Sequence, residues 1–325
     1  MTYHILVPDN VHPRAVEVLK AAGGQITYAA DGQITREALL AAVPEADALV
    51  IRSAHKIDAE VLNAAPKLKI IARAGVGVDN VDIPRATELG IVVVNTPDGN
   101  TISTAEHTFG LMLALARNIP QAHESMSAGR WDRKLYGGVE LRGKTLGLVG
   151  FGRIGRAVAK RALAFEMTVI AYDPFITADL AADLGVTLVS LAELFERSDF
   201  ISLHALLTPD NREMINRDSL ASMKRGVRII DAARGALINE ADLAEALQSG
   251  QVAGAALDVY AEEPPKPDNP LLRLPNVVHT PHLAASTEDA QVTVSVDAAQ
   301  LVVDALLQGD FRNVVNPAVL DKRRT

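Results

Sequence analysis

The run Leu146-Gly147-Leu148-Val149-Gly150-Phe151-Gly152-Arg153-Ile154-Gly155 constrains the fold of this chain more than any other stretch. An apolar segment ends in a Gly-x-Gly-x-x-Gly turn and passes into a helix-like segment, Arg156 to Ala164. In a strand–turn–helix each glycine has its own task. Gly150 makes the tight turn, Gly152 keeps a Cβ out of the path of a pyrophosphate, and Gly155 lets the helix lie close to its strand. The N–H groups of the first helical turn, around Arg153 and Ile154, then face phosphate oxygens, and the helix dipole adds to the attraction. A second strand, Thr168 to Tyr172, closes on Asp173, 18 residues past Gly155. That is near the ~20 expected for the carboxylate that binds the adenosine ribose. Glycine-rich turns occur in other α/β proteins. Strand, helix, second strand and terminal acid together predict NAD as cofactor, and a carboxylate that repels a 2′-phosphate favours NAD over NADP.

A length of 325 residues exceeds what one core usually serves, so two domains are expected. The net charge of −8 argues against nucleic acid as the main partner. A local basic pocket for an anionic substrate is compatible with it. The chain has no cysteine, which removes disulfides, thiol nucleophiles and zinc–thiolate sites, and no metal is expected. The amino terminus reads as a first strand and not as a signal peptide. The most apolar helical run, Phe109 to Ala116, is too short to span a bilayer. The expectation is a cytoplasmic protein with no membrane partner.

Residues 1–95 alternate strand-like runs (Tyr3–Val7, Gln25–Tyr28, Ala48–Ile51, Leu68–Ala72, Ile91–Val94) with helix-like ones (Arg14–Ala22, Thr35–Ala42, Asp58–Ala65, Ile83–Leu89). Such alternation predicts a parallel sheet covered on both faces. Asn95 to Asn100 is rich in turn formers and reads as a hinge. Residues 101–129 read as helical, followed by the polar stretch Gly129 to Gly138 with the single tryptophan, Trp131. Further strands are expected at 145–149, 168–172, 200–203, 227–230, 253–257 and 277–278, with a helix capped by Asn239. A long helical pattern runs from about Thr287 to Leu307. The final ~40 residues are too few for a domain of their own, so they are expected to pack back on the first domain and make it discontinuous. The fold class is therefore α/β, with two doubly wound parallel-sheet, Rossmann-like domains. Ligands in such folds bind beyond the carboxyl ends of the strands and between domains.

Three residues follow strands of the central unit. Arg234, in Ile230-Asp-Ala-Ala-Arg-Gly-Ala236, offers a permanent charge and a bidentate grip on a carboxylate. Glu263 precedes Pro264-Pro265. His282, in Pro281-His-Leu-Ala-Ala-Ser-Thr287, opens the loop into the long helix. Oxidation of a secondary alcohol needs a base for the hydroxyl proton while hydride leaves to a nicotinamide. Histidine titrates near neutrality, and a neighbouring carboxylate stabilises its imidazolium. Arginine, glutamate and histidine thus make a set of anchor, tuner and base. In the first domain Arg52-Ser53 ends one strand, and Arg73-Ala-Gly-Val-Gly-Val-Asp-Asn80 follows another with a glycine turn whose N–H groups suit an anion. Two arginines at strand ends of one sheet favour a shared anionic pocket.

These motifs, with Asn95-Thr-Pro-Asp-Gly-Asn100 and Ala256-Leu-Asp-Val259, resemble those of the D-isomer-specific 2-hydroxyacid dehydrogenases over nearly the whole chain. Within that family the resemblance is to the branch that oxidises D-3-phosphoglycerate. It implies a substrate-binding domain (1–97 and 286–325) around a nucleotide-binding domain (98–285), in a homodimer or homotetramer built on the latter. Arg234, Glu263 and His282 fall on the family's catalytic positions, with Arg234 gripping the substrate carboxylate and polarising the carbonyl. The N–H groups of Val76 and Gly77 would hold the same carboxylate. Asp258 would contact the nicotinamide side of the cofactor, and the backbone at Ala232 and Ala233 would place its carboxamide. His204, Ala205, Ala284 and Ala285 fall on further cofactor positions. The substrate phosphate would meet Arg52 with Ser53, Arg73, and an Arg133 contributed by a partner subunit.

The sequence departs from the family pattern at Asp231 and Ala232, where Asn, Thr or Cys is usual. It also departs at Ala284 (glycine usual), Leu206 (proline usual) and Val76 (often threonine). It ends at 325 without the regulatory extension many such members carry, so inhibition by serine is not expected. The resemblance implies NAD-dependent oxidation of a small anionic 2-hydroxy acid. Two alternatives stand beside it: a glyoxylate or hydroxypyruvate reductase or other D-2-hydroxyacid dehydrogenase, and an NADH-binding corepressor-like protein.

Overall fold

The computed structural model describes residues 3–28 and 32–324. The chain begins as β1 (His4–Val7), α1 (Pro13–Ala21), β2 (Gln25–Tyr28), α2 (Arg36–Ala42), β3 (Ala48–Ile51), α3 (Ala59–Asn63), β4 (Ile70–Arg73), α4 (Ile83–Glu88) and β5 (Val92–Asn95). The strands are parallel, in the order β2-β1-β3-β4-β5. All four residues of β3 are buried, as a strand covered on both faces requires. Alternate residues serve opposite layers. Val7, Val50, Ala72 and Val94 pack with α1 and with Val294, Ala298 and Val302 of the carboxyl-terminal helix Glu288–Gln308. Leu49, Ile51, Ile71 and Val93 pack with residues of α2, α3 and α4. The helices start where side chains can cap them: Thr35 accepts from the Ala38 N–H, and Asp58 from that of Val61.

One unit therefore comprises Met1–Asn100 with Thr287–Thr325, and the other Thr101–Ser286. The helix Glu288–Gln308 is long and apolar enough to cross a membrane. Its Val294, Ala298, Ala299, Val302 and Ala305 are instead buried in the first unit's core.

The second unit opens with α5 (Thr101–Arg117) and α6 (Ile119–Ser127). The expected continuous helical stretch breaks at Asn118, which is left-handed with φ 53°. Pro120 follows in the first turn of α6, where its missing N–H is tolerated but where it cannot continue a preceding helix. Then come β6 (Thr145–Val149), α7 (Arg153–Ala164), β7 (Thr168–Tyr172), α8 (Ala178–Ala182), β8 (Thr187–Leu188), α9 (Leu191–Arg197), β9 (Phe200–Leu203), α10 (Arg217–Ser222), β10 (Val227–Asp231), α11 (Glu240–Gln248), β11 (Val252–Leu257) and β12 (Val277–His279). The strands form one parallel sheet, β12-β11-β10-β9-β6-β7-β8. β8, α8, α9 and α10 have no counterpart in the sequence reading, because segments of two to seven residues are too short to display a period.

Candidate active site

In the second unit the order of strands reverses between β6 and β9, and the glycine turn lies at the carboxyl end of β6. Gly150 has φ 95°, and a Cβ there would come within 2.7 Å of the His204 carbonyl beyond β9. A Cβ on Gly155 would lie 2.3 Å from the Gly150 carbonyl oxygen, so helix and turn touch backbone to backbone. Gly152 differs: its Cβ would meet nothing within 4 Å. It is the N-cap of α7 and brings no side-chain acceptor to the helix's first N–H groups. An open, uncapped helix N-terminus fits a pyrophosphate. Asp173, after β7, accepts from the Phe151 and Phe175 N–H groups at 2.8 and 2.9 Å, which ties the acid to the glycine turn. His204 hydrogen-bonds Ser202 through Nε2 at 2.9 Å, and burial pushes its pKa down to about 4, so it stays neutral. Ala205 follows it, and Leu206 is 70 % exposed.

Arg234, Glu263 and His282 follow β10, β11 and β12, three neighbouring strands. His282 holds φ 54°, a left-handed conformation uncommon outside glycine, although histidine, like asparagine and aspartate, adopts it more often than most side chains. Its N–H donates to the Asp258 carbonyl at 2.8 Å, and its Nδ1 pairs with Glu263 Oε2 at 2.7 Å. Among the described residues Nε2 has no partner. The hydrogen bond His282 donates to Glu263 raises the His282 pKa against the opposing effect of burial, with Asp258 adding to the rise and Arg234 opposing it. Burial would raise the Glu263 carboxyl, but His282 and the Tyr260 N–H (3.1 Å) hold it below its ordinary value. Arg234 donates to the Ala233 carbonyl at 2.7 Å.

Asp258 is 1 % exposed and organises the histidine loop. It accepts from the N–H groups of Leu283 (2.8 Å) and Ala284 (2.9 Å), from the Thr280 hydroxyl (2.5 Å), and pairs with His107 of α5 at 3.2 Å. Burial works to raise its pKa, and these donors bring the net shift below the ordinary value. Its carboxylate thus faces the loop from Thr280 to Ala284, where the resemblance implied a contact to nicotinamide. His107 and Thr280 were missed by sequence reasoning. In the sequence His107 is one polar residue in a helix apolar almost all round, and only the fold brings it to Asp258. Asp231 is fully buried; its Oδ1 accepts the Ala233 N–H at 2.8 Å, while Oδ2 has no hydrogen-bond partner. Burial pushes its pKa up to about 7. Ala232 is buried, and Ala285 follows Ala284 in the same loop.

The first unit reverses its strand order between β1 and β3, and Arg52-Ser53 follows β3. Arg73 ends β4, and its guanidinium lies across Gly75: a Cβ on Gly75 would fall 1.4 Å from Arg73 Nη1. The Gly75 N–H donates to Thr96 Oγ1 at 2.7 Å and the Asn95 amide to the Val76 carbonyl at 2.6 Å, so β5 fixes this turn. Among the described residues the N–H groups of Val76 and Gly77 have no acceptor. Arg133 is exposed on a turn between Trp131 and Leu135, themselves 77 % and 72 % exposed. Groups of acidic, histidine or cysteine side chains suited to a metal do not occur among the described residues.

Residues 109–284 match the family model described as D-isomer specific 2-hydroxyacid dehydrogenase, NAD binding domain. The chain belongs to the D-isomer specific 2-hydroxyacid dehydrogenase family. Its second unit carries the family's NAD-binding domain, in agreement with the open glycine turn and Asp173. Two curated relatives named D-3-phosphoglycerate dehydrogenase are similar over most of the chain. That of Archaeoglobus fulgidus is 50 % identical over 312 residues, 96 % of this chain and 59 % of the relative. That of Methanocaldococcus jannaschii is 51 % identical over 313 residues, again 96 % and 59 %. The chain thus spans about six-tenths of the length of these relatives. Among solved structures, a glyoxylate reductase from Paecilomyes thermophila superposes with a TM-score of 0.88 at 31 % identity, over 97 % of this chain and 99 % of that one.

Proposed function

We propose that this dehydrogenase oxidises D-3-phosphoglycerate to 3-phosphohydroxypyruvate with NAD, reversibly, as a step toward serine. The observation that carries the reading is the His282–Glu263 pair, 2.7 Å apart, with Nε2 of the imidazole open at the strand ends of the NAD-binding unit. When bound, the cofactor supplies the hydride acceptor. His282 Nε2 takes the substrate hydroxyl proton during oxidation and returns it during reduction, while Glu263 steadies the imidazolium. Arg234 grips the substrate carboxylate and polarises the carbonyl oxygen. The N–H groups of Val76 and Gly77 hold the same carboxylate. Asp258, through the N–H groups of Leu283 and Ala284, keeps the histidine loop in its left-handed turn. Gly150, Gly152 and Gly155 with Arg153, Ile154 and Asp173 hold the dinucleotide, and His204, Ala205, Ala232, Ala233, Ala284 and Ala285 line its nicotinamide side and neighbouring positions.

The phosphate goes to Arg52, Ser53 and Arg73. The names of the two curated relatives and the two strand-end arginines support this choice. Comparing D-3-phosphoglycerate with D-glycerate as substrates tests it: a strong preference for the phosphorylated acid is expected, and equal turnover overturns it.

The likeness to a glyoxylate reductase favours, as second reading, reduction of glyoxylate or hydroxypyruvate. We place the protein in the cytoplasm, as a homodimer or homotetramer through the NAD-binding units. The exposed Trp131 and Leu135 around Arg133 support a partner subunit there, with Arg133 reaching the partner's substrate. Mixing Arg133→Ala subunits with His282→Ala subunits tests this donation. Regained activity is expected once mixed dimers form, and none regained counts against it.

A further inference from the structure

A further carboxylate–imidazole pair lies in the first unit. Asp9 follows β1 and is 1 % exposed; His55 follows β3 and is 7 % exposed. Asp9 accepts on both oxygens: Oδ2 takes the backbone N–H of Arg52, and Oδ1 takes His55 Nδ1–H. His55 Nε2–H donates to the Ile34 carbonyl at 2.9 Å. Both ring nitrogens of His55 thus have oxygen partners. Asn80 fastens the same turn from the other side, its amide donating to the carbonyls of Arg52 and His55 at 2.8 Å each. Arg52 itself reaches back to the Asn10 carbonyl at 3.1 Å. The turn Arg52-Ser53-Ala54-His55 is thereby tied at its first N–H, at two carbonyls and at its last side chain. It stands between β1 and β3, where the strand order reverses and a ligand crevice is expected. Burying a polar pair costs desolvation that offsets its attraction, but removing one partner leaves the other buried without its hydrogen bond. A buried pair at this turn is therefore better explained by what it holds in place.

We propose that Asp9 and His55 form a latch that fixes the Arg52–Ser53 backbone for phosphate recognition. They are positioning residues that set the preference for a phosphorylated over an unphosphorylated hydroxy acid. This rests on the reading of Arg52 as a phosphate ligand. Asp9→Ala and His55→Ala leave the Arg52 N–H or Asp9 without its partner and loosen the turn. Asp9→Asn is different. Its Oδ1 still accepts the Arg52 N–H, and its Nδ2 can donate to His55 Nδ1 while Nε2–H stays on the Ile34 carbonyl.

The test is kcat and KM for reduction of 3-phosphohydroxypyruvate and of hydroxypyruvate with NADH, in the wild type, Arg52→Ala, Asp9→Ala, His55→Ala and Asp9→Asn. Arg52→Ala, Asp9→Ala and His55→Ala are expected to raise KM for the phosphorylated substrate about tenfold, as for a lost charge-assisted hydrogen bond. For Asp9→Ala and His55→Ala the KM for hydroxypyruvate and kcat should stay near wild type, and Asp9→Asn should behave as wild type. If Arg52→Ala affects both substrates alike, the phosphate reading fails and the latch with it. If Arg52→Ala is selective while Asp9→Ala and His55→Ala are not, the latch alone is overturned. Asp9→Asn as impaired as Asp9→Ala also overturns it. Should His55→Ala not fold, His55→Asn, which keeps an N–H for Asp9 and loses the Ile34 bond, takes its place. An intermediate KM is then expected, and a wild-type KM contradicts the latch.

Discussion

His282 and Glu263 meet at 2.7 Å although they follow different strands, β12 and β11, and the meeting depends on a third residue. Asp258, buried just after β11 and ahead of both in sequence, takes the N–H groups of Leu283 and Ala284 and the Thr280 hydroxyl, and its carbonyl takes the His282 N–H. These bonds fix the histidine in its left-handed turn.

Replacing His282 with Ala removes the proposed proton acceptor and leaves the glycine turn untouched. Turnover should fall by about 10²–10⁴-fold, the usual contribution of a positioned acid–base group. The NADH dissociation constant, read by fluorescence titration, should stay within about threefold, since that change is under 1 kcal/mol.

Glu263→Gln removes the group that raises the His282 pKa. Oxidation needs neutral His282, so its rate rises with pH through that pKa; reduction needs the imidazolium and falls through it. Losing the carboxylate lowers the His282 pKa, so both limbs should move to lower pH. A pH profile of kcat/KM in each direction checks this, and unmoved limbs would separate Glu263 from the base.

The glycines separate fold from ligand. A Cβ on Gly152 meets nothing within 4 Å, whereas one on Gly155 meets the Gly150 carbonyl at 2.3 Å. Gly152→Ala should keep the wild-type Tm and weaken NADH binding. Gly155→Ala should lose both, read by thermal unfolding and titration.

Asp231 is fully buried, with its pKa pushed up to about 7 by burial and one oxygen unpartnered. A carboxyl whose folded pKa exceeds its unfolded value near 3.9 contributes stability at low pH that is lost as pH rises toward 7. Asp231→Asn, which keeps an acceptor for the Ala233 N–H, should raise Tm at pH 8. The advantage should shrink toward pH 5, and equal gains at both values would contradict the titration.

Much of this was legible in the sequence because it is local. The glycine turn, Asp173 and the caps Asp58 and Asn239 lie within a few residues of what they contact or at fixed offsets from it. The parallel sheets followed from alternation of apolar runs. What escaped notice depends on distant pairings: His107 with Asp258 across 151 residues, and His55 with Asp9 across 46. In the sequence each is a lone histidine without a pattern. The break at Asn118 was missed because a helix on both sides hides one left-handed residue.

On the proposed function, a phosphorylated 2-hydroxy acid is reduced and oxidised through His282. The direct measurement is kcat/KM with NADH for 3-phosphohydroxypyruvate, hydroxypyruvate and glyoxylate on the wild-type protein. A value for 3-phosphohydroxypyruvate at least about a hundredfold above the others is predicted, as a bound phosphate held by two arginines implies. Equal values for the three, or a higher value for glyoxylate, would contradict it.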